Sequence, residues 1–338
     1  MSRALGAAII TTINTTISAT INATISTTIN AMISAAIIAV MSLAGCSGGD
    51  VGGGFTPVAG APALMNATHV WAFSPTNVWI LDGTATVHRY DGATWSTLAT
   101  PSAGGLGCIF ALDETHVWLC AGAQVLAYDG STFTASDVLS SSGIDSLTAF
   151  WASSPSDLWA VSSSATVAHF TGGAWTQMSA GEPNKSSIWG SSATDVYAFG
   201  VFDLSHYDGN SWTPVNVNLG GGGGQVWGTS ANDVWAMGGS SEIAHYDGTT
   251  WKTIELELVG ELSALWGPAA NDVWAVGSAG AIAHWDGSSW TQVGHQAIGA
   301  PYLRQFLDVH GSSAHDLWIV GHQLGSGGST ALIEHRAN

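Results

Sequence analysis

Residues 264–293 read ALWGPAANDVWAVGSAGAIAHWDGSSWTQV, and residues 187–215 read SIWGSSATDVYAFGVFDLSHYDGNSWTPV. The two stretches share their aromatics, their Asp and Gly punctuation and their spacing, so they are copies of one structural phrase. Seven copies align through pairs eight residues apart: Trp71/Trp79, Phe110/Trp118, Trp151/Trp159, Trp189/Tyr197, Trp227/Trp235, Trp266/Trp274 and His310/Trp318. The second members follow one another at intervals of 39, 41, 38, 38, 39 and 44 residues. A period near forty with this degree of self-likeness marks a propeller or a solenoid.

Each copy has room for four strands. In the sixth, the spacing predicts strands at about 262–267, 272–277, 280–285 and 289–293, each short, β-branched or aromatic, and bounded by Gly, Asn, Asp or Ser. An Asp-Gly pair before the final strand signals a hairpin, because Gly accepts the positive φ that such a turn demands. No stretch beyond the leader shows sustained helical periodicity, and all-β solenoid repeats are usually shorter than this one. The reading is therefore an all-β fold, a seven-bladed β-propeller with four antiparallel strands per blade. The seventh copy stops at Ile333-Glu334-His335-Arg336, which matches a third strand. Phe55-Thr56-Pro57-Val58 resembles the fourth strand Trp212-Thr213-Pro214-Val215. Residues 54–59 are thus expected to supply the outer strand of the last blade and close the ring, leaving no open sheet edge at the seam.

The phrase resembles the repeats of kelch, WD-repeat and Asp-box propellers. It most closely resembles the Trp-rich "WGSS-x-x-DVWAVG … HYDG-x-x-W" repeats of secreted myxobacterial lipoproteins. The likeness covers about residues 55–338. The Asp-to-aromatic spacing is four rather than the five of an Asp box, and the regular Gly-Gly of kelch is missing. Such a resemblance implies the fold and leaves the activity open, since propellers host unrelated functions.

The N-terminal 46 residues differ from the rest. They hold one charge, Arg3, and no Trp, and a four-residue pattern (TTIN TTIS ATIN ATIS) repeats through them before an apolar stretch at 35–44. Leu43-Ala44-Gly45-Cys46 resembles the bacterial lipoprotein signal, in which the Cys becomes the lipidated first residue of the mature chain. Residues 1–46 are read as that signal and leader, residues 47–54 as a Gly/Ser tether, and residues 55–338 as the propeller. Ser47 is compatible with outer-membrane sorting. The expected location is the bacterial cell envelope, on the periplasmic side or the outer surface, with membrane contact through the lipid alone and the protein a monomer.

Acidic residues number 24 against 6 Lys and Arg, for a formal net charge of −18. That field repels phosphate backbones and argues against nucleic acid as a partner. All 17 Trp fall on recurring positions. A residue demanded in every blade answers a packing problem that every blade shares, and each buried indole contributes on the order of 2–3 kcal/mol. His169, His206, His245, His284 and His335 share one register, with Arg89 and Ala127 in the other two copies. Equivalent positions on different blades cannot converge within the 2.0–2.1 Å of one ion that ligation needs, so no metal and no cofactor is expected. Hydrogen bonding to a turn, or to the Asp before each second strand (Asp157, Asp195, Asp233, Asp272, Asp316), fits them better.

Cys108 and Cys120 sit at mirror positions about a turn centred on Glu114. In an oxidising compartment they are expected to form a disulfide. Loops joining first to second strands and third to fourth strands are nearly constant. The other connections vary, and in a propeller they share one face. Glu182, Lys185, Asp203, Glu242, Glu255, Glu257, His295, Tyr302, Arg304 and His322 are the candidate contact residues there. His310 joins them because it replaces an aromatic on an innermost strand.

The chain has no nucleophile elbow, no HExxH, and no helix behind the Gly220–Gly224 run to make a phosphate cradle. No catalytic residue is assigned. The expected function is a non-catalytic scaffold for an envelope protein. Glycan binding through a repeated stacking aromatic is the second reading. A secreted glycoside hydrolase, with carboxylates among the acidic loops, is the third.

Overall fold

The computed structural model describes residues 54–337 except 103, 139–145, 164–165, 183, 202, 221–223, 240–241, 259 and 296–302. The leader, Cys46, the tether up to residue 53, and Tyr302 lie outside the described residues. The remainder forms seven four-stranded antiparallel sheets, with no helix among the described residues. Blade one spans 69–99, blade two 108–137, blade three 147–179, blade four 185–215, blade five 225–255 and blade six 262–294. In the sixth copy the strands are Leu262–Ala269, Asp272–Gly277, Ile282–Trp285 and Trp290–Gly294, close to the positions the sequence implies.

Blade seven is assembled from both ends of the propeller. Its inner three strands are Leu303–Ser313, Asp316–Gly325 and Gly328–Ala337, and its outer strand is Thr56–Pro57. Thr56 pairs with His335 and Pro57 with Glu334, and Val58 donates its N–H to the Ile333 carbonyl at 3.0 Å. Proline is tolerated because this is an edge strand. The inner strands are longer than in any other blade, and the early start of the first, seven residues before His310 against four before Trp266 in blade six, contributes to the interval of 44 residues before Trp318.

One aromatic relay explains why the phrase repeats. In every blade but the third, the fourth-strand ring packs edge-on against the second-strand ring of the preceding blade; in blade three Trp175 meets Phe150 at 6.4 Å, and Phe150 in turn stacks on Trp118 at 5.6 Å. Trp95 meets Trp318 at 6.4 Å between centroids, Phe133 meets Trp79 at 6.3 Å, and Trp212 meets Trp159 at 5.8 Å. Trp251 meets Tyr197 at 5.9 Å and Trp290 meets Trp235 at 5.6 Å. Phe55 completes the circuit on Trp274 at 5.6 Å and 77°, and it is only 1% exposed. T-shaped pairs of this kind add about 0.5–1.5 kcal/mol beyond area burial.

A polar cluster recurs beside each relay ring. His169, His206, His245, His284 and His335 place Nε2 2.6–3.3 Å from Asp157, Asp195, Asp233, Asp272 and Asp316 respectively. Where the second aromatic is Trp, its Nε1 donates to the same carboxylate at 2.8–3.1 Å. The imidazole also lies flat on that ring, with centroids 3.6–4.3 Å apart. Blade one carries a paired exchange: Arg89 Nε donates to Asn77 Oδ1 at 2.9 Å.

The Asp-Gly turns satisfy themselves. Asp91, Asp129, Asp208, Asp247 and Asp286 each accept backbone N–H bonds from the residues two and three positions on. The following glycines have φ between +84° and +95°. Cys108 and Cys120 are direct cross-strand partners and form a disulfide, with Cα atoms 4.9 Å apart.

Candidate functional site: the central channel and the variable-loop face

The seven innermost strands enclose a channel of about 490 Å³. In each blade the first aromatic of the eight-residue pair lines it: Trp71, Phe110, Trp151, Trp189, Trp227 and Trp266, with His310 as the seventh member. Several of these rings are held by close approach to the next blade. A Cβ on Gly190 would lie 2.8 Å from Trp151, one on Gly228 2.8 Å from Trp189, and one on Gly311 2.8 Å from Trp266. Glycine is required there to let the neighbouring indole in.

Two residues before the channel aromatic, side chains in three of the blades stitch one blade to the next. The Ser187 hydroxyl accepts the Val226 N–H at 3.1 Å, and Gln225 Oε1 accepts the Leu265 N–H at 2.6 Å. Asp308 Oδ2 accepts the Val70 N–H at 2.9 Å, across the seam between blades seven and one. His310 strengthens the same seam. Its Nδ1 accepts the Ala72 N–H at 3.1 Å, and its ring stacks on Trp71 at 4.2 Å. Burial in the channel wall pushes the His310 imidazole down to about 3 and the His69 imidazole down to about 4. Burial pushes the Asp308 carboxyl up to about 7, against the lowering effect of the Val70 and Val309 N–H groups.

Asp308, His69 and Gln225 escaped sequence reasoning. The signal was present, because each stands two residues before the first aromatic of its blade, the register that also holds Ser187. A polar residue on the channel side of an inner strand has to find a partner, and the next blade's backbone is the nearest one.

The candidate contact residues divide into two groups. Glu182, Glu255, Glu257 and His295 are exposed, and Asp203, Glu242 and His322 are half-buried. Lys185 and Arg304 are not surface contacts. Lys185 is 1% exposed, and its Nζ donates to Asp203 Oδ2 at 2.6 Å and to Ser205 Oγ at 3.3 Å. Arg304 is buried beside Glu334, with Nη1 3.2 Å from Oε1. Both begin long inner strands where a variable loop was expected, so their charges point into protein and are paired there, as buried charges must be. His322 likewise lies within a strand and bonds Asn66 Oδ1 at 3.1 Å. His310 belongs to the channel rather than to the loop face.

No family model and no curated protein matches the sequence. Solved structures do match it in three dimensions. YCF48 bound to D1 peptide has 16% identity over 84% of this chain and 97% of its own, with a TM-score of 0.63. YCF48 from Cyanidioschyzon merolae has 12% identity over 84% and 98%, with a TM-score of 0.62. The WD40 propeller domain of Doa1 has 11% identity over 83% and 96%, with a TM-score of 0.65. At these identities the likeness is one of fold. The chain is a seven-bladed propeller of the shape that WD40 domains share.

Proposed function

We propose that this protein is a non-catalytic propeller scaffold, of the Trp-rich lipoprotein type, that holds a protein partner on its variable-loop face. In this reading Cys46 carries the lipid that fixes it to a bacterial envelope. The observation that carries the proposal is the difference between the two faces. On one, the Asp-Gly turns consume their own hydrogen-bonding groups and barely vary. On the other, the loops vary and expose Glu182, Glu255, Glu257 and His295. A face with that acidic bias favours a partner with a basic patch. A propeller of the same shape has been solved with a bound peptide, which supports a peptide or protein ligand.

The packing gives less support to a repeated sugar-stacking aromatic, because the recurring second-strand rings are covered on both faces in most blades. The channel lining holds a single carboxylate, Asp308, among the described residues. Glycosidic cleavage by the usual route uses two.

Photo-crosslinkers placed at Glu182, Glu255 and His295 should capture a protein in the native envelope, whereas ones at Asn210 and Thr249 on the constant turns should not. Capture from the constant turns alone would overturn the assignment of the face. Labelling with a fatty-acid analogue should disappear in Cys46→Ser; labelling that persists would remove the anchor.

A further inference from the structure

Six of the seven blades carry a planar, nitrogen-bearing side chain on the third strand beside the second-strand aromatic. It is His in five of them and Arg89 in blade one. Blade two breaks the rule twice: Ala127 stands at the His position, and His116 stands where five other blades have the bonding Asp. The equivalent of the missing imidazole is a space. A surface cavity of about 330 Å³ opens there, lined by His116, Trp118, Ala127, Tyr128, Asp129 and Pro155 among others. The indole, the backbone position and the bonding group that hold an imidazole in other blades all line this cavity. Trp118 is also the most exposed of the seven second-strand aromatics, at 5% against 0–4%.

We infer that blade two is a receptor for a histidine side chain presented by a partner protein, which would complete from outside the cluster that the other blades complete from within. The bonding group is suited to that guest. His116 Nδ1 lies 2.9 Å from Asp113 Oδ2, which leaves Nε2 as the ring nitrogen available to the cavity. An imidazole can donate at one nitrogen and accept at the other, so it can pair with Nε2 whether that atom carries a proton or not. A guanidinium can only donate. The cavity lies on the side of the constant turns, so this site is separate from the variable-loop face and stands or falls independently of it.

The test uses the full-length chain with ¹⁵N-labelled Trp indoles, the Trp118 resonance being identified by its loss in Trp118→Phe. Imidazole added at pH 8 should shift that resonance saturably, with a dissociation constant on the order of 10 mM, as befits a five-atom fragment. Two variants should abolish the shift: His116→Asp with Ala127→His, which rebuilds the internal cluster, and Ala127→Leu, which fills the space with carbon. Three results would each overturn the inference: no saturable shift in the wild type, a shift that survives either variant, or methylguanidinium binding more tightly than imidazole.

Discussion

Asp316 is 2% exposed and accepts hydrogen bonds from three side chains: Trp318 Nε1 at 3.0 Å, His335 Nε2 at 2.7 Å and Ser312 Oγ at 2.5 Å. Replacing it with Ala strands those donors, which should cost about 2–4 kcal/mol in urea unfolding. Burial pushes its carboxyl up, but the bonds from His335, Ser312 and Trp318 outweigh that and hold it below the ordinary value. A folded-state pKa below the unfolded one gives stability that is complete above about pH 4 and lost as pH falls through the folded value. Asp308 has the opposite sign. Its carboxyl is raised to about 7, so the folded state keeps a proton that the unfolded chain releases, and stability is lost as pH rises from about 4 to 7. Asp308→Asn retains an acceptor for the Val70 N–H and cannot ionise. The variant should therefore gain on the wild type as pH rises from 5 to 8, by about 1–2 kcal/mol once channel water is allowed for. A difference that is flat with pH would show that Asp308 ionises normally.

Individual strands and turns were the most legible elements in the sequence, because their signals are local. Asp286-Gly287 announces its hairpin through chemistry that needs nothing distant. Gly287 has φ +92°, and a Cβ there would lie 2.8 Å from the Asn271 Cβ, so Gly287→Ala should destabilise the fold by about 1–3 kcal/mol. The Cys108–Cys120 pair was legible for the same reason, since hairpin arithmetic alone sets the two opposite. Changing both to Ala should lower the unfolding midpoint by an amount equivalent to about 2–3 kcal/mol, and the native wild type should show no thiol titre from these two. Lys185 and Arg304 were not legible. A charge a few residues after Gly and Pro in a variable stretch reads as solvated. Only the fold shows that Asp203 and Glu334 wait beneath. The extra length of blade seven was visible as an interval of 44, but nothing in the spacing told whether it lay in loops or in strands.

For the whole molecule, the repeat number and the seam decide everything else, and both were written in the aromatics. Phe55 occupies the place that Trp95, Phe133, Trp212, Trp251 and Trp290 hold in their own blades, so one residue outside the repeats shuts the relay. Phe55→Ala removes a fully buried ring at the junction of blades six and seven and should cost about 3–4 kcal/mol. Protease cleavage near residues 55–60 should become faster at the same time; unchanged resistance there would mean that the outer strand holds without its anchor. The channel was less legible than the ring, because stitching across blades depends on neighbours some forty residues away rather than on local pattern.

The seam also has a temporal side. Thr56 is translated 279 residues before the His335 it pairs with. A nascent chain can complete six blades while the seventh has only its outer strand, still waiting for the three inner ones. Shutting the circle is therefore the last step in building the propeller, and the unpaired edge awaiting Thr56 is where two immature copies would most readily exchange strands.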